Sequence, residues 1–298
     1  MLVNSVLEAI GDTPLIRLKK ISSGNVFVKA DYLNPGGSIK DRVAKHIIEA
    51  AEKEGKLTSG MTIIEATSGN TGIGLTLVGV QKGYQVVCVM PENMSEERKK
   101  IIKAFGGEII FSPAEESLTG SLKKMKELTD AAPKKYFVAG QFVNPHNPEI
   151  HYNQTAPEIW RDTSGKIDIF VAGVGSGGTL QGVGKFLKEK KSEVKVVAVE
   201  PKNSAALLGR EPGLQQIQGI GDGFVPDVLD VNLVDMVFTV SDEEAVETTR
   251  RLSREEGLLV GTSSGANVFA ALHMDNGHNH VVTILPDRAE RYFSTPLL

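Results

Sequence analysis

The sequence predicts an α/β protein of two domains, each built on a mostly parallel sheet flanked by helices. Two observations carry this reading. Short β-rich runs alternate with helical patterns from end to end, and glycine-rich turns repeatedly join a strand to the helix that follows. Residues 62–65, 85–90 and 108–111 read as strands, and 71–83 and 96–105 as helices, the second closed by Gly106 and Gly107. The alternation resumes with a strand over 167–172, a helix near 180–190 and a strand over 194–200. Strand–helix–strand units of this length imply parallel pairing with both sheet faces covered. The turn-rich run Asn144, Pro145, His146, Asn147 marks the best boundary, giving domains 1–145 and 146–298. The first strands are left open to pack with the C-terminal domain. Ligands of such sheets bind beyond the strands' carboxyl ends, so a cleft between the domains is expected.

Composition removes several function classes. The chain has 298 residues, 41% hydrophobic and 23% charged, the balance of an ordinary globular protein. A net charge of −4 gives no footprint for nucleic acid. The lysines at 185, 188, 190 and 191 are interleaved with Glu189 and Glu193, as on a solvated helix end. No apolar stretch approaches the ~20 residues needed to span a bilayer. The N-terminus lacks a basic segment and carries Glu8 early, unlike a signal peptide. The single cysteine, Cys88, excludes an intrachain disulfide and suits a cytoplasmic location. It lies in an apolar run and reads as a packed thiol.

Chemistry is concentrated in four segments. Asn34, Pro35, Gly36 and Gly37 form a turn, Ser38 can cap a helix, and Lys40 falls in the first helical turn. A lysine there sits in the positive end of the backbone dipole, which lowers its pKa and suits a neutral amine that makes a Schiff base. Thr67, Ser68, Gly69, Asn70, Thr71 and Gly72 join a strand to a helix and offer hydroxyls and amide hydrogens to an anion. Gly173, Gly175, Ser176, Gly177, Gly178 and Thr179 form a second cradle of the same kind. Formally this is G-x-G-x-x-G after a strand, with Glu200 at the end of the next strand, so a nicotinamide dehydrogenase is a rival reading. The fourth, residues 261–266, follows a strand-like run at 258–260 and carries Ser263, whose hydroxyl could meet a ring nitrogen without charging it. A reactive lysine, a phosphate cradle and a hydroxyl for a pyridine nitrogen have one cofactor in common, pyridoxal 5'-phosphate. A dehydrogenase would leave Lys40 and the 67–72 loop unexplained.

Six segments together resemble the cysteine synthase and cystathionine β-synthase family of fold-type II pyridoxal-phosphate enzymes, whose fold is like that of the tryptophan synthase β subunit. They are residues 10–15 (Ile-Gly-Asp-Thr-Pro-Leu), 34–42, 67–72, 141–145 (Gln-Phe-Val-Asn-Pro), 175–179 and 261–265. The resemblance covers nearly the whole chain. It implies that Lys40 holds the cofactor and moves the Cα proton, and that Asn70 contacts the cofactor's O3'. It implies too that Thr67 to Thr71, with Gln141 and Gly219, bind the substrate. Gly175 to Thr179 would hold the phosphate and Ser263 would face the pyridine nitrogen. The family carries out β-elimination and β-replacement on small L-amino acids through an α-aminoacrylate. Its members are homodimers in the cytoplasm, and the C-terminus of serine acetyltransferase is an implied partner. No metal, nucleic acid or membrane is implied.

One departure bears on specificity. In residues 217–226 the family has a small apolar residue where this chain has Asp222. A carboxylate near the substrate's Cβ would repel hydrosulfide by roughly 1 kcal/mol at a few ångströms, and would act as a base for a neutral nucleophile. The narrow expectation is therefore L-cysteine as donor, releasing hydrogen sulfide, with water (giving L-serine) or a second amino acid as acceptor. The alternatives are cysteine formation from O-acetyl-L-serine and sulfide, and condensation of the cystathionine β-synthase type. Leu118 stands where many relatives have methionine, a swap of similar size that decides nothing.

Overall fold

The structure is a computed structural model that describes residues 2–67 and 69–295. Ten strands order the chain: β1 Leu15–Arg17, β2 Asn25–Lys29, β3 Thr62–Ala66, β4 Gln85–Pro91, β5 Glu108–Ser112, β6 Tyr136–Val138, β7 Ile169–Gly173, β8 Lys195–Pro201, β9 Met236–Val240 and β10 His280–Ile284. The helices are α1 Lys40–Lys53, α2 Asn70–Gln81, α3 Glu96–Ala104, α4 Ser117–Ala131, α5 His146–Ile150, α6 Ala156–Asp162, α7 Gly178–Lys190, α8 Asp242–Arg251 and α9 Thr262–Met274. Backbone contacts divide the chain into two compact units. One holds the residues up to Ile10 with Asn34–His146, the other Gly11–Leu33 with the residues from Asn147 onward.

The first unit has a four-stranded sheet in the order β5-β4-β3-β6, parallel throughout. All five residues of β3 are buried, which is why its sequence is an unbroken apolar run apart from Thr62 and Glu65. Cys88 lies in β4, fully buried, and burial pushes its thiol up to about 12, so it packs and does not react. Gly74 of α2 lets the two helices meet closely: a Cβ there would come 2.8 Å from the Lys40 carbonyl oxygen.

The second unit has a six-stranded sheet, β1-β2-β10-β7-β8-β9. All its pairings are parallel except β1 with β2. The early strands therefore belong to the sheet of the C-terminal residues: β2 pairs β10, with Val26 opposite Val281. The core holds Val171, Val197, Val199, Val268 and Val281, all at most 1% exposed.

Two local expectations are corrected. Residues 258–260 do not form a strand: Val260 makes an isolated bridge with Arg288, because α8 runs into a π-helical turn, Leu252–Glu256, that ends at Gly257. Residues 262–266 are consequently the first turn of α9 and not a loop. His280 opens β10 and stacks on Phe27, with ring centroids 5.8 Å apart, while His278 lies in the exposed turn before it. Among the described residues, no helix is long and apolar enough to cross a membrane.

Candidate active site

In the first unit, Lys40 is the first residue of α1 and is half-buried. Ile39 takes the cap position, but the Ser38 hydroxyl still accepts from the Lys40 N–H at 3.3 Å. The turn before it is tied down. The Gly37 N–H donates to the Asn34 carbonyl at 2.7 Å, and the Gly36 N–H to the buried Asp41 carboxylate at 2.6 Å. A short glycine turn clamped by the helix it precedes fixes where the lysine emerges.

The loop expected to accept an anion begins where β3 ends. The Thr67 hydroxyl accepts from the Gly69 N–H at 3.0 Å, and Asn70 opens α2. Ser68 lies outside the described residues. Gly69 has φ +147°, and a Cβ on it would come 2.2 Å from Cδ of Arg98, a side chain only 2% exposed on α3. A buried guanidinium beside a helix N-terminus favours an anion there. The Thr71 hydroxyl donates to the Gln141 Oε1 at 2.5 Å, so the fold brings Gln141, seventy residues on, to the loop. Gln141 is held in turn by its backbone N–H, which donates to Glu65 at 3.2 Å.

In the second unit, β7 ends at Gly173 and α7 begins at Gly178, with Gly177 left-handed at the cap (φ +79°). Gly175, Ser176, Gly177, Gly178 and Thr179 thus surround a helix N-terminus whose first amides have no helical partner. Side chains are excluded from this strip: a Cβ on Gly175 would come 2.3 Å from the Gly219 carbonyl oxygen. Gly219 also approaches Ser263, whose Oγ is 3.9 Å from where a Gly219 Cβ would sit. The cradle, Gly219 and Ser263 are therefore one neighbourhood. Asp222, half-buried, follows Gly221, whose N–H donates to the Val174 carbonyl at 2.9 Å and whose carbonyl accepts from the Ser204 hydroxyl at 3.0 Å. Its carboxylate is thus carried on a loop stapled to the mouth of the cradle.

Two cradle residues have supports that the sequence reading missed. Asn147, fully buried, donates from Nδ2 to the Ser176 Oγ at 3.0 Å, and its Oδ1 lies 2.0 Å from where a Cβ on Gly178 would be. His151, also fully buried, meets the Thr179 hydroxyl through Nε2 at 3.3 Å and Thr155 through Nδ1 at 3.0 Å. Both fall in or just after the run read as a boundary, and no periodicity marks them. Their only signal is that polar residues sit where α5 and α6 need buried faces.

These features fit pyridoxal phosphate. The cradle is bare backbone where a phosphate needs amide donors. Around Ser263, the hydroxyls of Thr262 and Ser264 are buried with no hydrogen-bond partner among the described residues, a polar lining that a bound ring and its substituents could use. A family model described as pyridoxal-phosphate dependent enzyme matches residues 6–287.

The chain belongs to that family.

Within it, the chain is cysteine synthase-like. It is 47% identical over 303 residues to a cysteine synthase of Staphylococcus aureus, covering 99% of this chain and 97% of that protein. An O-acetyl serine sulfhydrylase, isoform 3, from Entamoeba histolytica has a TM-score of 0.95 and 45% identity, covering 100% of this chain and 92% of that one. A hydrogen sulfide-producing enzyme from Fusobacterium nucleatum has a TM-score of 0.93 and 42% identity, covering 98% and 99%. The protein is accordingly a pyridoxal-phosphate-dependent enzyme of β-replacement, and the nicotinamide reading of residues 173–178 is set aside. Glu200, the acid that reading required, is only 2% exposed and accepts from the Leu207 N–H at 3.1 Å.

Proposed function

We propose that the enzyme uses L-cysteine as donor, releases hydrogen sulfide from Cβ, and passes the remaining fragment to a neutral nucleophile deprotonated by Asp222. Water would give L-serine, and a second amino acid a condensation product. The observation that carries this is the placement of Asp222, directly after the Gly219–Gly221 segment that borders both the cradle and Ser263. A carboxylate there repels an incoming hydrosulfide anion and accepts a proton from an incoming neutral group.

The residues divide the work as follows. Lys40 is proposed as the amine that holds the cofactor's aldehyde carbon and removes the substrate's Cα proton. Gly175, Ser176, Gly177, Gly178 and Thr179 would hold the phosphate, Ser263 the ring nitrogen and Asn70 the ring's oxygen. Bound there, the cofactor supplies the electron sink that makes the Cα proton acidic. Ser263, unlike a carboxylate, leaves the ring nitrogen uncharged and moderates that sink. Thr67, Gly69, Asn70, Thr71 and Gln141, with Ser68, would take the substrate's α-carboxylate, supported by the buried Arg98 and the α2 N-terminus. Gly219 would lie along the substrate.

A second reading, cysteine formation from O-acetyl-L-serine and sulfide, is favoured by the similarity to the curated cysteine synthase. One pair of assays separates the two. Sulfide release from L-cysteine alone should exceed cysteine formation from O-acetyl-L-serine plus sulfide, and Asp222→Asn should cut the first by ~10²-fold, the usual scale of a lost general base. An unchanged rate of sulfide release in Asp222→Asn overturns the role of Asp222 and leaves the second reading. Assembly as a homodimer and docking of the serine acetyltransferase C-terminus remain part of this proposal. Both would appear as a mass shift in solution scattering.

A further inference from the structure

We propose that Glu65 is a positioning residue for the substrate's α-carboxylate, acting through Gln141; this rests on reading Thr67–Thr71 and Gln141 as the carboxylate pocket. Glu65 lies in β3, a strand buried along its whole length, and is itself 2% exposed. An ionised carboxylate in such a place is costly unless it is hydrogen-bonded or paired. Among the described residues no cation pairs with it. Its partners are two consecutive backbone amides: Oε2 accepts from the Gly140 N–H at 2.6 Å and Oε1 from the Gln141 N–H at 3.2 Å. Gly140 is left-handed (φ +64°), the arrangement that turns successive N–H groups toward one anion. The turn is tightened further on, where the Asn144 N–H donates to the Gly140 carbonyl at 2.9 Å and Asn144 Nδ2 to the Ala139 carbonyl at 2.8 Å.

The contacts close a ring. Glu65 holds the Gln141 backbone, the Gln141 side chain accepts from Thr71 at 2.5 Å, and Thr71 lies in the first turn of α2. Thr67, two residues beyond Glu65 on the same strand exit, holds the Gly69 N–H from the other side of the loop. Two side chains from one strand end thus fix both the anion loop and the residue that crosses to it. The Gln141 amide can present a donor to a carboxylate only while its backbone is anchored, since an unheld glutamine has several rotamers to lose on binding. A carboxylate offers a separate oxygen to each of two adjacent N–H groups, where a glutamine offers one oxygen and a competing donor. The titratable group facing Glu65 from the neighbouring strand is the buried Cys88 thiol.

The test uses the holoenzyme and two unreactive ligands, L-alanine and L-alaninamide, which differ in whether the carboxylate is present. Binding is read from the visible band of the bound cofactor. Glu65→Gln should raise the Kd for L-alanine about tenfold, the effect of misorienting one hydrogen-bond donor, and leave that for L-alaninamide unchanged. Adding Gln141→Ala to Glu65→Gln should then cost no more than Gln141→Ala alone. Equal weakening of both ligands, or full additivity of the two substitutions, overturns the proposal. So does an unchanged L-alanine affinity in Glu65→Gln when Gln141→Ala weakens it. If Gln141→Ala itself leaves L-alanine binding intact, the pocket reading fails first and the proposal with it. Should Glu65→Gln not fold, Glu65→Asp carries the same expectation, because it keeps the charge and loses the reach to both amides.

Discussion

The two regions proposed to bind anions are built in opposite ways. The cradle at residues 175–179 works by main chain: glycines clear the strip, a helix end supplies the field, and side chains such as Asn147 and His151 only brace it from behind. The loop at residues 67–71 would work with side chains as well: Thr67 accepts from Gly69, Thr71 donates to Gln141, and the buried Glu65 carboxylate accepts from the Gln141 N–H. A phosphate that stays bound needs a fixed backbone nest. A substrate that comes and goes can be held by side chains, whose geometry a neighbour can adjust. The difference predicts that substitutions in the cradle change cofactor retention, while those around the loop change substrate affinity.

The largest effect expected is on the residue that belongs to neither region. Lys40→Ala should remove the borohydride-sensitive visible band and cut turnover ~10³-fold or more, as loss of a covalent catalytic group does. A retained band would break the assignment altogether. Gly175→Ala comes next. Its Cβ would press on the Gly219 carbonyl from 2.3 Å, and overpacking of this kind costs about 1–3 kcal/mol. The expected result is release of cofactor on dialysis with the KM for amino acid in the remaining holoenzyme unchanged. A raised KM with full cofactor content would erase the distinction between the regions.

A pH measurement sharpens the other side. Burial pushes Glu65 up to about 7 from an ordinary 4.5, against the opposing hydrogen bonds from Gly140 and Gln141. Between those values the folded protein binds more protons at this site than the unfolded chain does. Stability from Glu65 is therefore complete below about pH 4.5 and is lost as pH rises to about 7, a change of about 3 kcal/mol. Urea midpoints at pH 5 and pH 8 should fall further for the wild type than for Glu65→Gln. Equal falls would mean that the carboxylate titrates normally. The smallest effect is expected at Asn147→Ala, which should weaken cofactor retention by about 1 kcal/mol, the worth of one buried hydrogen bond, and leave substrate KM unchanged.

Much of this was legible in the sequence. The strand and helix runs around residues 62–111 and 167–200 were placed within about two residues, because buried parallel strands read as apolar runs and glycines mark their ends. Lys40, the two glycine cradles and Ser263 stood out because turn and capping chemistry is local. The run at 258–260 misled for the same local reason: it is apolar and precedes a serine-rich segment, yet it joins no strand and makes an isolated bridge, Val260 with Arg288. Glu65 and Arg98 carry no local signal, and Asn147 and His151 only a weak one. Each is a polar residue that the fold buries, and its meaning lies in what is packed against it.

By itself, the order of residues settled the alternation of strands and helices and the backbone shape of each cradle, since both follow from side-chain period and from where glycine alone fits. Tertiary structure decided which distant residues meet. It brought Gln141 to Thr71, Glu65 to the Gly140–Gln141 amides and Gly219 to the mouth of the cradle. Burial is the reason: a carboxylate or an asparagine has no fixed role until the fold removes water from around it and leaves one set of partners within reach.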